Sequence, residues 1–538
     1  MTGDVVKAGR REWGGLAVLA LPTFLVSFDI FVLLLALPHL TAALGTNSTQ
    51  QLWIMDIYGF MVAGFMITMG TLGDRIGRRK LLLIGAAAFG VASVLSAYAG
   101  SPGVLIAARA LLGIAGATLA PSTLALISNM FHDPKQRAAA IGLWGGTFTL
   151  GAIIGPIIGG VLLDHFWWGS VFLLGVPPMV LLLIIGPMLL PEYKAPRAGR
   201  IDLASVVLSL LAILPVIWGI KELGRNGWAA LPIISIVAGV VFGTVFLRRQ
   251  RRLADPLLDL TLFANRSFGA TLASLLSYSL TGGAVMLFAT QHFQSVDGLS
   301  PLQAGLAMLP GMATATVGFM VTPVLASKIR PAFIIAAGMV GTAIVLVTFT
   351  QVPTHATVPL IIGFAVFAFC GAPLVALGVN LVVGSAPPER AGSAASLAQI
   401  CNEFGAALGI ATVGTIGSAV YRTQLTDSIP SGLPAEAART AQENVAGAVA
   451  VASHLPGQLA TALLNPAREA FTSALHYVTG IGAVLLAAVA VLIATQLRHI
   501  GPIGAPQPAD GPTEVTAETT TEVPDESDEP DLPLEEAV

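Results

Sequence analysis

Long apolar runs separated by short polar breaks make up almost the whole chain. They fall at 14–37, 52–71, 81–99, 103–126, 137–162, 168–190, 203–220, 229–248, 267–291, 302–325, 332–350, 357–383, 391–420 and 468–495. A helix needs about 20 mostly apolar residues to cross the hydrocarbon of a bilayer. The pattern therefore predicts an all-α integral membrane protein with fourteen transmembrane helices. The first run ends without a small-residue cleavage site and is too long for a signal-peptide core, so it reads as a true span. The run 357–383 holds Pro359 and Pro373; spanning helices tolerate such kinks because neighbours re-satisfy the freed backbone groups.

The polar breaks are not alike. With the N-terminus inside, 21 of the 27 Lys and Arg residues fall in inside segments, among them Arg75, Arg78, Arg79, Lys80 and the cluster Arg248–Arg252. Basic residues retained on the cytoplasmic side set orientation, so both termini are expected there. The opposite side receives Arg225, Arg422, Arg439 and Arg468, with Lys221 near it; Arg109 lies within a helix. One missed span would reverse this alternation. The segment 421–467 is the one long outside loop, with Pro430, Pro434 and Pro456; a hairpin and a helix pair both fit it.

Composition sharpens this picture. The 538 residues are 55% hydrophobic and 11% charged, with a mean hydropathy of +0.80. Many of the 58 glycines lie inside apolar runs, where small residues let helices pack closely in lipid. The net charge of −3 hides a split: eleven acidic residues and no basic one lie between Asp510 and Glu536, leaving the rest at +8. A segment of that composition cannot bury enough apolar surface to fold, so 500–538 is expected to be a disordered cytoplasmic tail. Residues 1–13 form a short cytoplasmic lead. Cys370 and Cys401 both fall in apolar segments and suggest neither a disulfide framework nor a metal site.

Within the first run stands one carboxylate, Asp29, between Phe28 and Ile30. A charge at bilayer depth costs roughly 2.5–3.5 kcal/mol on insertion scales, so such a residue points to function by default. Arg109 is its cationic counterpart in the fourth run, followed by the small residues Gly113 and Gly116. Asp56 reads either as a vestibule acid or as a solvated helix end. Gln399 and Glu403, four residues apart, share one helix face. Phe28, Trp144, Phe148 and Tyr278 offer aromatic faces for cation–π contact or for ordinary packing. No phosphate-binding glycine loop, metal-spaced His/Cys cluster or Ser–His–Asp arrangement stands out, so an enzyme is not expected.

Three motifs narrow the reading. The second break reads Gly70-Thr-Leu-Gly73-Asp74-Arg75-Ile-Gly77-Arg78-Arg79-Lys80. With Arg109 in the fourth helix, it resembles the major facilitator superfamily. The fifth helix carries Gly151, Gly155, Pro156, Gly159 and Gly160; this pattern is similar to the antiporter motif of exporters. Asp29 with Ala36-Leu-Pro38, Gln50–Tyr58, and Ala391–Ser396 resemble the fourteen-helix drug:proton antiporters of bacteria, especially quaternary-ammonium and multidrug pumps. The likeness runs from about residue 13 to 497.

That resemblance implies two six-helix pseudo-symmetric bundles, 14–190 and 267–495, around two inserted helices at 203–248. It implies alternating access in a bacterial plasma membrane. The expected function is proton-coupled export of lipophilic cations by a monomer, powered by the proton gradient without a cofactor, metal or nucleic acid. Export of one endogenous metabolite, lipid or self-made antibiotic is the alternative. Asp29 is the first choice for the coupled acid and Glu403 the second, with Arg109 in proton handling. Gln399 stands where the resemblance leads one to expect a further acid.

Overall fold

The computed structural model describes residues 8–194, 202–253, 256–258, 260–385 and 391–501. The lead 1–7 and the acidic tail from 502 onward lie outside them. Seventeen α-helices and no strand occur among the described residues. The first nine are α1 (Arg10–Leu44), α2 (Ser48–Ile76), α3 (Arg78–Ala97), α4 (Pro102–Met130), α5 (Pro134–His165), α6 (Ser170–Leu173), α7 (Val176–Leu189), α8 (Leu203–Asn226) and α9 (Ala230–Gln250). The remainder are α10 (Arg266–Gln291), α11 (Pro301–Ala326), α12 (Pro331–Phe349), α13 (Thr357–Gly384), α14 (Ala391–Thr426), α15 (Ala435–Glu443), α16 (Val445–Ala452) and α17 (Gly457–Gln496). Thirteen segments are long and apolar enough to cross a membrane, and α1, bent by 41° between Asp29 and Phe31, makes a fourteenth.

Local chemistry sets several of these boundaries. Asn47 opens α2 with a capping box: its side chain accepts from the Gln50 amide, and Gln50 returns a bond to the Asn47 amide. Ser300 and Gln303 do the same for α11. Gly77 alone separates α2 from α3, at φ +115°, a conformation that favours glycine. The expected sixth span is broken into α6 and α7 because Pro177 and Pro178 have no N–H to carry the helix ladder. The end of α10 runs on through a π-helical turn, His292–Val296.

Several helices run past their expected ends, most of all around the outside loop. The 421–467 loop is shorter than the apolar runs suggested: α14 runs on to Thr426 and α17 already begins at Gly457, with Pro466 inside it. The helix pair α15 and α16 fills the space between.

The helices sort into two sets. In the first, α1 packs on α5 and α7, α2 on α4, and α3 on α4 and α7. In the second, α10 packs on α14 and α17, α11 on α13, and α12 on α13 and α17. The inserted α8 and α9 pack on each other, and α8 also lies against α2 and α14. The sets meet chiefly where α5 touches α11 and α2 touches α14.

Call the end that carries the Gly70–Lys80 turn the basic end, and the end that carries α15 and α16 the far end. Toward the far end the sets are in close contact. A Cβ built on Gly160 would sit 2.5 Å from Leu302 Cα, and one on Gly305 would sit 2.4 Å from the Pro156 carbonyl oxygen. One on Gly59 would lie 3.0 Å from Ala407 Cβ.

Candidate functional site

The glycine motif of α5 is the mould for the first half of the site. Gly151, Gly155 and Gly159 line one face at four-residue spacing, against Phe24, Phe28 and Val32 of α1, which repeat at the same spacing. A Cβ at Gly151 would lie 2.5 Å from the Phe24 carbonyl oxygen. Backbone contact of this kind fixes α1, and with it Asp29, against α5. Pro156 and Gly160 face the other way, onto α11 of the second set. One motif thus holds both the acid-bearing helix and the seam between the sets.

On α4, glycines again make room. Gly113 lies under the Tyr58 backbone and Gly116 under its hydroxyl, with built Cβ distances of 2.6 and 2.9 Å. Arg109, one turn earlier, is 1% exposed. Its guanidinium donates to Asp29 Oδ2 at 2.5 Å and to the Ile54 carbonyl at 3.3 Å, and stands 4.9 Å from the Tyr58 ring centroid. Asp29 therefore already has a resident cation.

A cavity of about 310 Å³ lies between the two sets. The Arg109 side reaches its wall, as do Tyr58, Phe31, Tyr278, Phe364, Phe367 and Glu403; Asp29, behind Arg109, does not. A second cavity, of about 820 Å³, is lined by Tyr58, Trp144, Phe148, Gln399 and Glu403 and extends to Asp74 and Arg78 at the basic end. Tyr58 and Glu403 border both cavities. Volumes of this size suit a drug-sized ligand. Tyr278 and Phe367 stack with centroids 5.8 Å apart, giving the central cavity a broad aromatic wall. Phe28 instead stacks on Phe24 within the core and lines neither cavity.

Glu403 has different company from Asp29. Its Oε1 accepts from Gln399 Nε2 at 3.2 Å. It makes no ion pair with a cationic side chain among the described residues. No group of three or more potential metal ligands occurs among them either.

Asp56 is neither solvated nor on a cavity wall. Its carboxylate accepts from Lys221 Nζ of α8 at 2.6 Å, and both side chains are wholly buried. The ammonium also sits 3.8 Å from the Trp53 ring centroid. Lys221 escaped the sequence reading because its run was expected to stop at 220, placing it at the surface. The usable signal was Asp56 itself, since an acid inside a span calls for a cation.

The Gly70–Lys80 motif ties the basic end of the first set together. Asp74 bridges to Arg78 at 2.7 Å, and Arg78 reaches the Pro121 carbonyl of α4 at 3.4 Å. Arg79 donates to the carbonyls of Leu190 and Pro187, at the end of α7, at 2.9 and 3.3 Å. Gly70 and Gly73 sit on α2, and Gly73 leaves space for the Arg78 side chain.

The fold is shared with solved transporters. A bacterial homologue of the human lysosomal transporter Spinster, in an inward-facing and unoccupied conformation, superposes with a TM-score of 0.64 at 17% identity, over 91% of this chain and 99% of that one. Among curated proteins, the multidrug efflux pump LfrA of Mycolicibacterium smegmatis is 40% identical over 93% of this chain and 99% of its own length. The methyl viologen resistance protein SmvA of Salmonella typhimurium is 33% identical over 86% and 93%. The family model of the Major Facilitator Superfamily matches residues 19–410. With that match, the fourteen spans and the two helix sets around a shared cavity, the protein belongs to the major facilitator superfamily of membrane transporters.

Proposed function

We propose that the protein is a proton-coupled multidrug exporter of lipophilic cations, and that Glu403 is the group at which cargo and proton exchange. The observation that carries this reading is the carboxylate of Glu403, at the junction of two cavities, with no ion pair to a cationic side chain among the described residues. A partly buried carboxylate at bilayer depth is favoured when it is protonated or paired with a cation. A single carboxylate cannot hold a proton and an organic cation with equal favour, so the two compete.

The aromatic wall of Tyr58, Tyr278 and Phe367 supplies shape-tolerant stacking and cation–π attraction for the cargo. The Asp29–Arg109 pair plays a different part: Arg109 presents a cation to the cavity wall and orients cargo charge toward Glu403. Asp74, Arg78 and Arg79 hold the basic end of the first set as one body while the two sets rock about the cavity. The names of the relatives support drug export, since one is a multidrug efflux pump and another confers resistance to methyl viologen.

In this reading the basic end faces the cytoplasm of a bacterial plasma membrane, by the retention of Lys and Arg on that side. The cavity reaching Asp74 and Arg78 is then the cytoplasmic entrance. The protein works as a monomer, with the proton gradient as its energy source.

The test is transport in proteoliposomes under an imposed pH gradient, with a panel of mono- and dications. Uptake of several unrelated cations that rises with the gradient and collapses with an uncoupler is expected. Turnover indifferent to the gradient contradicts proton coupling. Transport of one narrow ligand, unaffected by unrelated cations, contradicts multidrug export.

A further inference from the structure

We propose that the inserted helix α8 is a strap across the far-end gate, anchored to α2 by Lys221 and releasable from α14 at a clasp built on Glu443. The idea of a gate rests on the alternating access proposed above; the strap itself rests on α8's contacts. α8 lies against both α2 and α14, which belong to different helix sets. Any opening at the far end separates those two helices, so α8 can keep only one of its partners.

The bonds on its two sides are unequal. On the α2 side, Lys221 and Asp56 form a 2.6 Å pair with both side chains fully buried, and Trp53 covers the ammonium. Parting them would strand two charges in an apolar interface where Ile217 packs with Phe60, an arrangement that resists separation strongly. On the α14 side, Ile217 shares an apolar cluster with Ala407 and Ala411 and Gly224 rests on the Thr415 methyl, and the polar links are ion pairs reached by water. Arg225 donates to Glu443 Oε1 at 3.0 Å, and Arg422 donates to the Arg225 carbonyl. Arg225, Glu443 and Arg422 are 29, 24 and 21% exposed; hydrated pairs of this kind contribute little each.

Glu443 is the knot of the clasp. Its Oε2 accepts from the amide and hydroxyl of Ser48, at 3.0 and 3.1 Å, at the start of α2. Arg422 of α14 donates to the same hydroxyl at 3.0 Å and lies 3.6 Å from the carboxylate. One side chain from the α15 helix thus joins α2, α8 and α14. The chain around it is pinned on both sides, by Tyr421 donating to the Ala441 carbonyl and by Asn444 donating to the Thr46 carbonyl.

Protonation of Glu443 is not the release signal at mildly acidic pH. Burial works to raise its pKa, but hydrogen bonds from Arg225 and Ser48, with the charges of Arg225 and Arg422, outweigh burial and hold it below the usual carboxylate value. Glu222 of α8 also acts on Arg422. Neither α16 nor the first turn of α2 carries a titratable side chain. A depressed carboxyl gives its full stabilisation above the ordinary carboxylate value and loses it as pH falls through the depressed one. The clasp is thus a constant load on the gate between pH 5 and 8, and it yields when events in the central cavity drive the two sets apart.

The test is a distance measurement that needs no cargo, so its outcome is independent of whether the exported compounds are cations. Spin labels are placed at His165→Cys and Gln351→Cys, both exposed at the far ends of the two sets, with Cys370→Ala and Cys401→Ala. Double electron–electron resonance in nanodiscs is recorded with and without Glu443→Gln. The share of the longer far-end distance should rise at least threefold in Glu443→Gln, equally at pH 5.5 and 7.5. Arg225→Gln cuts the same ion pair from the other side and should act alike. An unchanged distribution in both variants, or a rise in only one of them, overturns the clasp. Replacing the anchor with the uncharged pair Lys221→Met and Asp56→Asn should leave the closed state more populated than Glu443→Gln does; the reverse order overturns the division into anchor and clasp.

Discussion

Two acids inside the membrane, Asp29 of α1 and Glu403 of α14, rank first and second as the coupled acid in the sequence and stand in different company in the structure. Asp29 is paired with Arg109 at 2.5 Å and lies behind it. Among the described residues, Glu403 has the amide of Gln399 as its side-chain partner and borders both cavities. The difference separates two jobs: an acid that holds a resident cation builds the site, whereas an acid without one is free to take a proton or a cation from outside the chain. Asp56, paired with Lys221, falls in the first class. The functional reading consequently moves its leading acid from Asp29 to Glu403.

The sharpest way to break this comparison is to neutralise Glu403. Removing one member of a buried charge pair costs about 2–5 kcal/mol, so Glu403→Gln should weaken cation binding by about 30-fold or more. Equilibrium binding of a radiolabelled cation to purified protein reads this directly. Unchanged affinity would move the cargo site elsewhere.

Breaking the Asp29 pair should show up in stability instead. Arg109→Gln leaves Asp29 without its counter-charge, and loss of one partner of a buried pair costs about 3–5 kcal/mol. The midpoint of thermal unfolding should drop sharply and be largely regained in Arg109→Gln with Asp29→Asn. Equal midpoints for the single and double variants would show that the pair does not act as a unit.

A smaller effect is expected at Gly113, where an added methyl would lie 2.6 Å from the Tyr58 carbonyl. Overpacking of this kind costs about 1–3 kcal/mol. Gly113→Ala should lower the unfolding midpoint, while Gly142→Ala, which meets nothing within 4 Å, should not. The smallest change concerns charge number. Gln399→Glu puts a second carboxylate one turn from Glu403 and should raise dication over monocation transport a few-fold, the scale of about 1 kcal/mol. A ratio unchanged from the parent would detach Gln399 from cargo selection.

Much of the fold was legible along the chain because the bilayer imposes a simple rule on length and polarity. The fourteen apolar runs all reappear, and the α5 glycines do line a face. What they line was not legible: local spacing says that Gly151, Gly155 and Gly159 share a face, but not that Phe24, Phe28 and Val32 fill it. The ion pairs were hidden for the same reason. Asp29 and Arg109 are 80 residues apart, and Asp56 and Lys221 are 165 apart. A charge at bilayer depth calls for a partner, but nothing in its local sequence says which. Lys221 was further obscured by a helix that continues past the expected end of its run to Asn226.

The central claim is that one carboxylate holds either a proton or the cargo. It is tested most directly by counting the protons that purified protein releases into weakly buffered solution when a saturating organic cation is added. The account predicts release in the parent and in Asp29→Asn, and none in Glu403→Gln under conditions where that variant still binds. Release that survives in Glu403→Gln and disappears in Asp29→Asn would contradict it, and would return the exchange to Asp29.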